Sequence, residues 1–311
     1  MLQFKNLKEL MTQLSDEKVA RQHMEEMRWG GEPFCPHCGS TKPYKLKDGK
    51  TYRCKDKTCK KDFTVTVGTV FENSKVKLST WMAAIYLLSA HKKGISSLQL
   101  GRDLGITQKT AWFVLHRVRL IMSDPNPAPL DNIVEIDETY VGGTFANMNR
   151  KRRKFYQERA IDNKTAVMGL LERHGKARLT VIGDYTFKDV VRHNVDNNAV
   201  LVTDTHLSYV GLASEYTAHL SVNHSKSEYR NGLAYTNSVE GFFSCLKRSI
   251  IGIYHQVSPK HLQRYCIETS YRYNTRKITD KERFNHALQN VEGRLKYKHL
   301  IQDYKNEKYF K

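Results

Sequence analysis

In the segment NIVEIDETYVGG, residues 132–143, apolar side chains alternate with other side chains before two glycines. Such alternation predicts a half-buried β-strand. Further elements are predicted after it. They are two strands, TAVMGLLER (165–173) and ARLTVIG (177–183), a helix over FKDVVRHNV (187–195), and a buried strand, AVLVTD (199–204).

The order strand–strand–strand–helix–strand predicts an α/β fold of the ribonuclease H-like class, a mixed sheet with flanking helices. Ahead of it lies SDPNPAPLDN, residues 123–132, which has three prolines in ten residues and is the clearest linker. Further upstream, apolar residues at helical spacing predict a helical lead over residues 4–29. Another helix is predicted from about Thr80, with Ser79 or Thr80 as its N-cap.

The composition favours a polyanionic partner. The chain has 311 residues, with 51 Lys and Arg against 32 Asp and Glu, and a formal net charge of +19. Hydrophobic residues make up 40%, so we expect a packed core rather than a disordered polycation. Nucleic acid is the first candidate partner, and a merely basic soluble protein is the alternative.

The hydropathy pattern argues against a membrane protein. The longest apolar stretch, residues 82–88, is far shorter than the roughly 18 residues of a membrane span. The first ten residues alternate charged and apolar side chains, unlike a signal peptide. We therefore expect a cytoplasmic protein with no membrane partner.

Four of the six cysteines lie in two short motifs, CPHC and CKDKTC, with 15 residues between them. A disulfide framework is not expected without a secretory signal. Four thiolates suit one structural Zn²⁺ in a closed tetrahedral site, and the alternative is a set of ordinary thiols. The predicted zinc ligands are Cys35, Cys38, Cys54 and Cys59. His37 is a rival ligand, and Cys245 and Cys266 are predicted core residues.

Two helices joined by a turn at Gly105 are predicted between residues 96 and 122. Ser96 or Ser97 can cap the first helix, and Thr107 can cap the second. This pattern is typical of a helix-turn-helix, whose second helix enters the major groove with its N-terminal side chains at the bases. A plain helical hairpin is the alternative. The predicted base-contacting side chains are Gln108, Lys109 and Thr110.

Two carboxylates end apolar strands, Asp137 after IVEI and Asp204 after AVLVT. Adjacent strands bring such side chains together, and like charges at close range need a neutralising cation. Mg²⁺ (or Mn²⁺) prefers carboxylate, water and phosphate oxygens. Two such ions about 3.5–4 Å apart can activate an attacking oxygen and stabilise a leaving oxygen in phosphodiester chemistry. Glu135 and Glu138 flank Asp137 and are expected to point away from it.

A third ligand is expected from TNSVEGFFSCLKRSIIGIY, residues 236–254, which predicts a helix with Thr236 as its N-cap. Asn237, Glu240 and Lys247 share one face of that helix. Between Asp204 and Glu240 lie 35 residues. Each carboxylate taken alone is more often a turn, cap or solvated residue, so the interval and the flanking motifs carry the assignment.

The segment NRKRRKFYQER, residues 149–159, has six Lys or Arg in eleven residues and favours phosphate contact, with a solvated loop as the alternative. The C-terminal helices add further basic residues. The predicted DNA-backbone contacts are Arg150, Lys151, Arg152, Arg153, Lys154, Arg272, Arg276 and Lys277.

These motifs predict the following domain organisation. It runs from a helical lead (1–29) and a zinc ribbon (30–75) to a helix-turn-helix segment (76–123), a linker (124–132), a ribonuclease H-like catalytic domain (133–255) and a basic helical C-terminal segment (256–311).

The constellation resembles the DDE transposases and retroviral integrases, and more closely the zinc-ribbon transposases of bacterial insertion sequences, the ISXO-like group. The resemblance covers nearly the whole chain. CPHCGS and GTVFENSKVKLSTW resemble that group's ribbon and its exit, while VEIDETYVGG and VTDTHLSYVGL resemble its first and second Asp motifs. Residues 222–277 resemble its C-terminal block, with Ala234-Tyr235 where a His is expected. The second zinc knuckle is also longer than the first.

The resemblance implies a DNA transposase that cleaves element ends and transfers the strands to target DNA by phosphoryl transfer with two metal ions. Asp137, Asp204 and either Glu240 or Asn237 are the implied ligands, and Lys247 is the implied phosphate contact. The ribbon and helix-turn-helix are expected to recognise terminal inverted repeats on double-stranded DNA, as a homodimer at the nucleoid. The alternatives are a DNA-binding regulator derived from a transposase and a ribonuclease H-like nuclease.

Overall fold

The structure is a computed structural model that describes residues 2–143, 150–151, 153–154, 164–183, 185–205, 207–223 and 230–302. It forms two compact units. One combines residues 1–125 with 277–311, and the other is the continuous stretch 126–276. The predicted linker therefore spans a unit boundary, and the predicted C-terminal segment contributes to both units. No helix within the described ranges is long and apolar enough to cross a membrane.

The first unit opens with the predicted helical lead and ribbon. The helices are α1 (Leu7–Gln13) and α2 (Glu17–Trp29), and the ribbon strands are β1 (Pro43–Lys45), β2 (Tyr52–Cys54) and β3 (Asp62–Phe63). These strands form an antiparallel sheet in the order β1-β2-β3. Trp29 packs edge-on against Tyr52, whose ring stacks on Phe63, so the end of α2 supplies the ribbon with a small aromatic core.

Three helices follow the ribbon, α3 (Leu78–Ala90), α4 (Ser97–Leu104) and α5 (Gln108–Ile121). The last two are the two helices predicted on either side of Gly105, and their caps are local. The Ser96 side chain accepts the N–H of Gln99, and the Thr107 side chain accepts the N–H of Thr110. Gly105 ends α4 with φ +64°, a left-handed conformation that glycine adopts without strain.

The start of α3 differs from the prediction. The helix begins at Leu78, and the carboxylate of Glu17 accepts the backbone N–H groups of Leu78 at 2.6 Å and Ser79 at 3.1 Å. Neither Ser79 nor Thr80 caps this helix, so that prediction is wrong. The physical reason is that a charged acceptor from α2 binds the free N–H groups of α3 in place of a local side chain.

The second unit is built on a five-stranded mixed sheet. Its strands are β4 (Ile133–Gly142), β5 (Lys164–Glu172), β6 (Ala177–Val181), β7 (Val200–Asp204) and β8 (Ala218–Val222). Their order in the sheet is β6-β5-β4-β7-β8. The β4–β5 and β5–β6 pairs are antiparallel, whereas the β4–β7 and β7–β8 pairs are parallel. The predicted ribonuclease H-like sheet is confirmed.

Helices cover both faces of this sheet. They are α6 (Phe187–Asn194), α7 (Asn237–Ser249) and α8 (Pro259–Asn274), with a π-helical turn (Ile250–Tyr254) after α7. On one face, Ile136 and Leu201 pack with Val191 of α6. On the other face, Val167 packs with Phe243 of α7. Because side chains alternate along a strand, β5 contributes Met168 and Leu170 to the first core and Val167 and Leu171 to the second.

The chain then returns to the first unit through α9 (Asp280–Gln289) and α10 (Tyr297–Ile301). Two hydrogen bonds join the segment between these helices to residues that follow the ribbon. The carbonyl of Val291 accepts the N–H of Val70, and the N–H of Gly293 donates to the carbonyl of Gly68. Buried Arg117 of α5 donates to the carbonyls of Val70 and Leu295. The unit that contains the ribbon is therefore completed by residues from the far end of the chain.

Gly169 of β5 provides a test of the packing between the sheet and α7. A Cβ at this position would lie 2.7 Å from the ring of Phe243 and 2.8 Å from Val239. We expect Gly169→Ala to lower the free energy of unfolding by about 1–3 kcal/mol through overpacking. Gly241→Ala is the control, because nothing lies within 4 Å of its Cβ, and it should raise stability by about 0.4–1 kcal/mol. Urea unfolding measures both, and equal midpoints would contradict the packing described.

Candidate metal and nucleic-acid sites

The ribbon brings four sulfur atoms together. The Sγ atoms of Cys35, Cys38, Cys54 and Cys59 all lie within 4.8 Å of one another. The Cys35–Cys59 and Cys38–Cys54 sulfur distances are 3.8 and 3.6 Å. A tetrahedral zinc with Zn–S bonds of about 2.3 Å requires sulfur separations of about 3.8 Å, so the set fits Zn²⁺. In the described part of the chain no other group of this kind meets the same distance limit, and His37 is not in the cluster.

The turns around the cysteines explain this convergence. The N–H of Gly39 donates to the carbonyl of Cys35 at 2.8 Å, and the N–H of Cys35 donates to the carbonyl of Ser40. Gly39 has φ +75°, which closes the first knuckle. In the second knuckle, the side chain of Asp56 accepts from Thr58, so the longer loop is also held by hydrogen bonds.

The pairing of β4 with β7 aligns the two predicted aspartates. Glu135 lies opposite Val202 in this parallel pair, and continuing the register by two residues brings Asp137 level with Asp204. In-register residues of neighbouring parallel strands point to the same face of a sheet. Asp137 also lies opposite Gly169 of β5, so no side chain covers it from that strand.

The electrostatics of this sheet edge reflect several nearby carboxylates. Burial is the largest cause of a raised pKa of Asp137, about 6. The negative charges of Glu138, Asp204 and Glu240 raise this pKa further, against the lowering effect of the hydrogen bond from the N–H of Glu138. A cation at this edge would relieve that repulsion, and carboxylate oxygens are the donors that Mg²⁺ prefers.

Helix α7 turns one face to solvent and the other to the sheet. Asn237, Glu240 and Lys247, which helical spacing predicts on one face, are all exposed. Thr236 is the N-cap residue but makes no side-chain cap, and its hydroxyl instead donates to Oε1 of Glu240 at 3.2 Å. The charges of Asp204 and Glu240 act on Asp137. Within the described residues, however, the oxygens of these three carboxylates do not all lie within 4.8 Å of one another as the cysteine sulfurs do.

Glu135 is a buried residue that the sequence interpretation misplaced. Residues two apart on a strand share a face, so the expectation that it points away from Asp137 is wrong. Its carboxylate accepts hydrogen bonds from the N-terminal turn of α7 and from Arg173. The i, i+2 spacing with Asp137 was the signal that could have identified it.

Glu138 does lie one residue away from Asp137 along β4, and so on the other face. Its Oε2 accepts from the hydroxyl of buried Tyr209 at 2.7 Å. Tyr209 belongs to the segment after Asp204, so this hydrogen bond connects the two strand ends that carry the aspartates. This contact joins residues 71 positions apart, so no local pattern predicted it.

The three predicted base-contacting residues at the start of α5 have partners within their own unit. Gln108 donates to the hydroxyl of Ser97 at 2.9 Å, and the hydroxyl of Thr110 lies 2.9 Å from that of Thr107. The ammonium group of Lys109 lies over the ring of Tyr297, 5.3 Å from its centroid. Gln108 and Lys109 are nevertheless exposed, so their contact with DNA stays a prediction.

The predicted contacts with the DNA backbone lie in two parts of the chain, residues 150–154 and the C-terminal basic residues. Arg150, Lys151 and Lys154 are exposed and Arg153 is half-buried, whereas Arg152 lies outside the described residues.

Two C-terminal arginines of the same prediction differ in exposure. The side chain of Arg272 is only 9% exposed and forms an ion pair with buried Glu268, so we withdraw it as a phosphate contact. The physical reason is that its charge already neutralises a carboxylate within α8. Arg276 is exposed, with its guanidinium over the ring of Tyr273 at 3.9 Å, and stays a candidate, as does exposed Lys277.

Comparison with known proteins adds the family context. The profile of the ISXO2-like transposase domain matches residues 129–274, and that of the transposase zinc-ribbon domain matches residues 15–62. A Halobacterium salinarum relative, described as an uncharacterized protein in transposable element ISH50, is 26% identical over 248 residues, 75% of this chain and 82% of the relative. These findings confirm the resemblance to insertion-sequence transposases and support a transposase function with DNA as the partner.

The cysteine cluster predicts a structural zinc site that can be tested directly. We expect the purified chain to contain about one zinc ion, and Cys54→Ser to lose it, because a site with three thiolates and a water is no longer closed. Loss of zinc should unfold the ribbon, since metal binding supplies its folding free energy. Metal analysis and amide exchange over Tyr52–Cys54 measure both effects. Cys245→Ser, outside the cluster, should retain the zinc, and an unchanged zinc content in Cys54→Ser would contradict the site.

Proposed function

We propose that this chain, which joins a transposase zinc-ribbon domain to an ISXO2-like transposase domain, cleaves DNA at the ends of a mobile element and transfers the strands to target DNA. The observation that carries the proposal is the parallel register of β4 and β7, which pairs Glu135 with Val202 and, continued by two residues, brings Asp137 level with Asp204. The negative charge of Glu240 also contributes to the raised pKa of Asp137. Such a group of carboxylates suits metal-dependent phosphoryl transfer.

In this proposal Asp137, Asp204 and Glu240 hold two Mg²⁺ (or Mn²⁺) ions. When bound there, such ions would supply activation of the attacking oxygen and stabilisation of the leaving oxygen. We favour Glu240 over Asn237 as the third ligand for two reasons. The hydroxyl of Thr236 donates a hydrogen bond to the Glu240 carboxylate. The negative charge of Glu240 also contributes to the raised pKa of Asp137.

The remaining proposed roles concern DNA. Lys247, exposed on the same face of α7 as Glu240, binds a phosphate near the scissile bond as a point charge. The ribbon and helix-turn-helix recognise the terminal inverted repeats, through Gln108, Lys109 and Thr110 in the second module. Other backbone contacts come from the exposed basic residues of 150–154 and from Arg276 and Lys277. Because two element ends must be joined, the working unit is a homodimer on DNA in the cytoplasm, at the nucleoid.

Two other functions use the same domains. A regulator derived from a transposase binds DNA without cutting it, and a ribonuclease H-like nuclease cuts without joining. A supercoiled plasmid incubated with Mg²⁺ and oligonucleotides that carry the element ends distinguishes the three. Binding alone indicates the regulator, linear or nicked plasmid alone indicates the nuclease, and oligonucleotide joined to plasmid indicates the transposase.

The aspartates provide the first mutational test. Asp137→Asn or Asp204→Asn should abolish strand cleavage and joining, because an amide removes a negative charge from the metal ligands. Binding to end DNA, measured by gel shift, should remain. Asp131→Asn is the control, since Asp131 is exposed in the same unit and its side chain contacts only the neighbouring N–H in the described structure. Wild-type cleavage by either aspartate variant would reject the assignment.

The identity of the third ligand is a separate test. Glu240→Gln should remove joining as completely as Asp137→Asn does, whereas Asn237→Ala should retain measurable joining. Both positions are exposed on α7, so neither change should alter folding. Rates of oligonucleotide joining compare the two variants. The opposite ranking would identify Asn237 as the ligand.

A further inference from the structure

We propose that the buried Glu135–Arg173 pair is a positioning device that fixes the N-terminal turn of α7, and with it Glu240, relative to the strand that carries Asp137. The inference rests on the proposed function, because positioning has meaning only for a reaction at this site. Neither residue is among those assigned above as ligands or DNA contacts.

Glu135 receives hydrogen bonds from four donors. Its Oε2 accepts the backbone N–H groups of Ser238 at 2.9 Å and Val239 at 3.1 Å. Its Oε1 accepts the hydroxyl of Ser238 at 3.1 Å and Nε of Arg173 at 2.7 Å. The side chain is 0% exposed, so these contacts form away from water, where hydrogen bonds to a charged acceptor are strong and directional.

Arg173 extends the pair to the segment before α7. It donates from a second nitrogen to the carbonyl of Tyr235 at 2.9 Å, and its guanidinium lies 3.5 Å from the centroid of the Tyr235 ring. Its own backbone N–H donates to the carbonyl of Ile133 on β4. The pair therefore connects β4, the end of β5 and the last residues before α7.

At the start of α7, the free backbone N–H groups and the Glu240 carboxylate are bound by two different residues. A helix normally relies on its N-cap side chain to accept the first free N–H groups. Here Glu135 accepts them from the sheet, where its negative charge also suits the positive end of the helix dipole. The hydroxyl of Thr236 is thereby available to hold Glu240. One strand thus carries Asp137 and, two residues earlier, the anchor of the helix that carries Glu240.

Stability alone does not account for this pair. A buried ion pair contributes little net stability compared with well-packed apolar residues, because desolvation of the charges offsets their attraction. The pair instead fixes a position, because three of the four hydrogen bonds on the Glu135 carboxylate come from Ser238 and Val239 in the first turn of the helix. Removing one partner still destabilises the fold, because the other charge stays buried, so the effect on the site is judged against a variant that loses an equally buried charge.

The chain offers a matched control. Glu268 and Arg272 of α8 form a second buried pair in the same unit, with side-chain exposures of 0% and 9%, the same values as for Glu135 and Arg173. Glu268 also accepts the hydroxyl of Tyr254 in the turn beyond the C-terminal end of α7. Glu268→Gln therefore removes an equally buried charge without touching the N-terminal turn.

The experiment compares Glu135→Gln and Glu268→Gln in the full-length chain. Three quantities are measured: amide hydrogen exchange at Ser238 and Val239 without metal, Mn²⁺ affinity by water-proton relaxation, and the rate of oligonucleotide joining. We expect Glu135→Gln to accelerate exchange at both amides and to lower Mn²⁺ affinity and joining by about 10- to 100-fold, as for residues that orient metal ligands. Glu268→Gln should change none of these, and thermal unfolding should shift equally in both variants.

The outcomes separate the inference from the proposed function. If the two variants behave alike, or if Glu135→Gln slows joining without faster exchange at Ser238 and Val239, the positioning role is wrong. If the wild-type chain neither binds Mn²⁺ nor cuts DNA, the proposed function fails and the positioning role fails with it. Should Glu135→Gln not fold, Arg173→Lys replaces it. That change keeps the opposite charge, loses the contact with Tyr235, and should give a smaller loss of the same kind.

Discussion

The parallel pairing of β4 with β7 is the constraint on which the candidate catalytic site depends. The register pairs Glu135 with Val202 and, continued by two residues, brings Asp137 level with Asp204 at the end of β7. Two carboxylates at one sheet edge repel each other, and the raised pKa of Asp137 reflects its burial together with this repulsion. A fold that only required stability would place other residues there. The arrangement is consistent with an edge that works with a cation.

Much of this fold could be predicted because its signals are local. The alternation in residues 132–143, the prolines of the linker and the cap residues Ser96 and Thr107 each act within a few positions of the element that they define. The cysteine spacing was equally informative, since two short knuckles converge on one point almost regardless of the rest of the chain.

The features that sequence reasoning missed are long-range contacts. Glu17 caps α3 from 61 positions away, and Glu135 contacts Ser238 across 103 positions. Arg272 looked like a free cation, but the glutamate that neutralises it belongs to a buried pair whose burial depends on how α8 packs. Composition and spacing could predict a site formed by Asp137, Asp204 and Glu240, whereas contacts such as that of Glu135 with Ser238 depend on tertiary packing.

The return of the chain to its first unit has a consequence for the order of folding during synthesis. Arg28 pairs with Glu292 across 264 positions, and Arg117 contacts the carbonyl of Leu295. The unit with the ribbon and helix-turn-helix therefore cannot finish until these last residues have left the ribosome. Residues 126–276 are continuous and can fold earlier. A nascent chain can thus complete its sheet with the carboxylates before it completes the unit that holds its zinc ribbon.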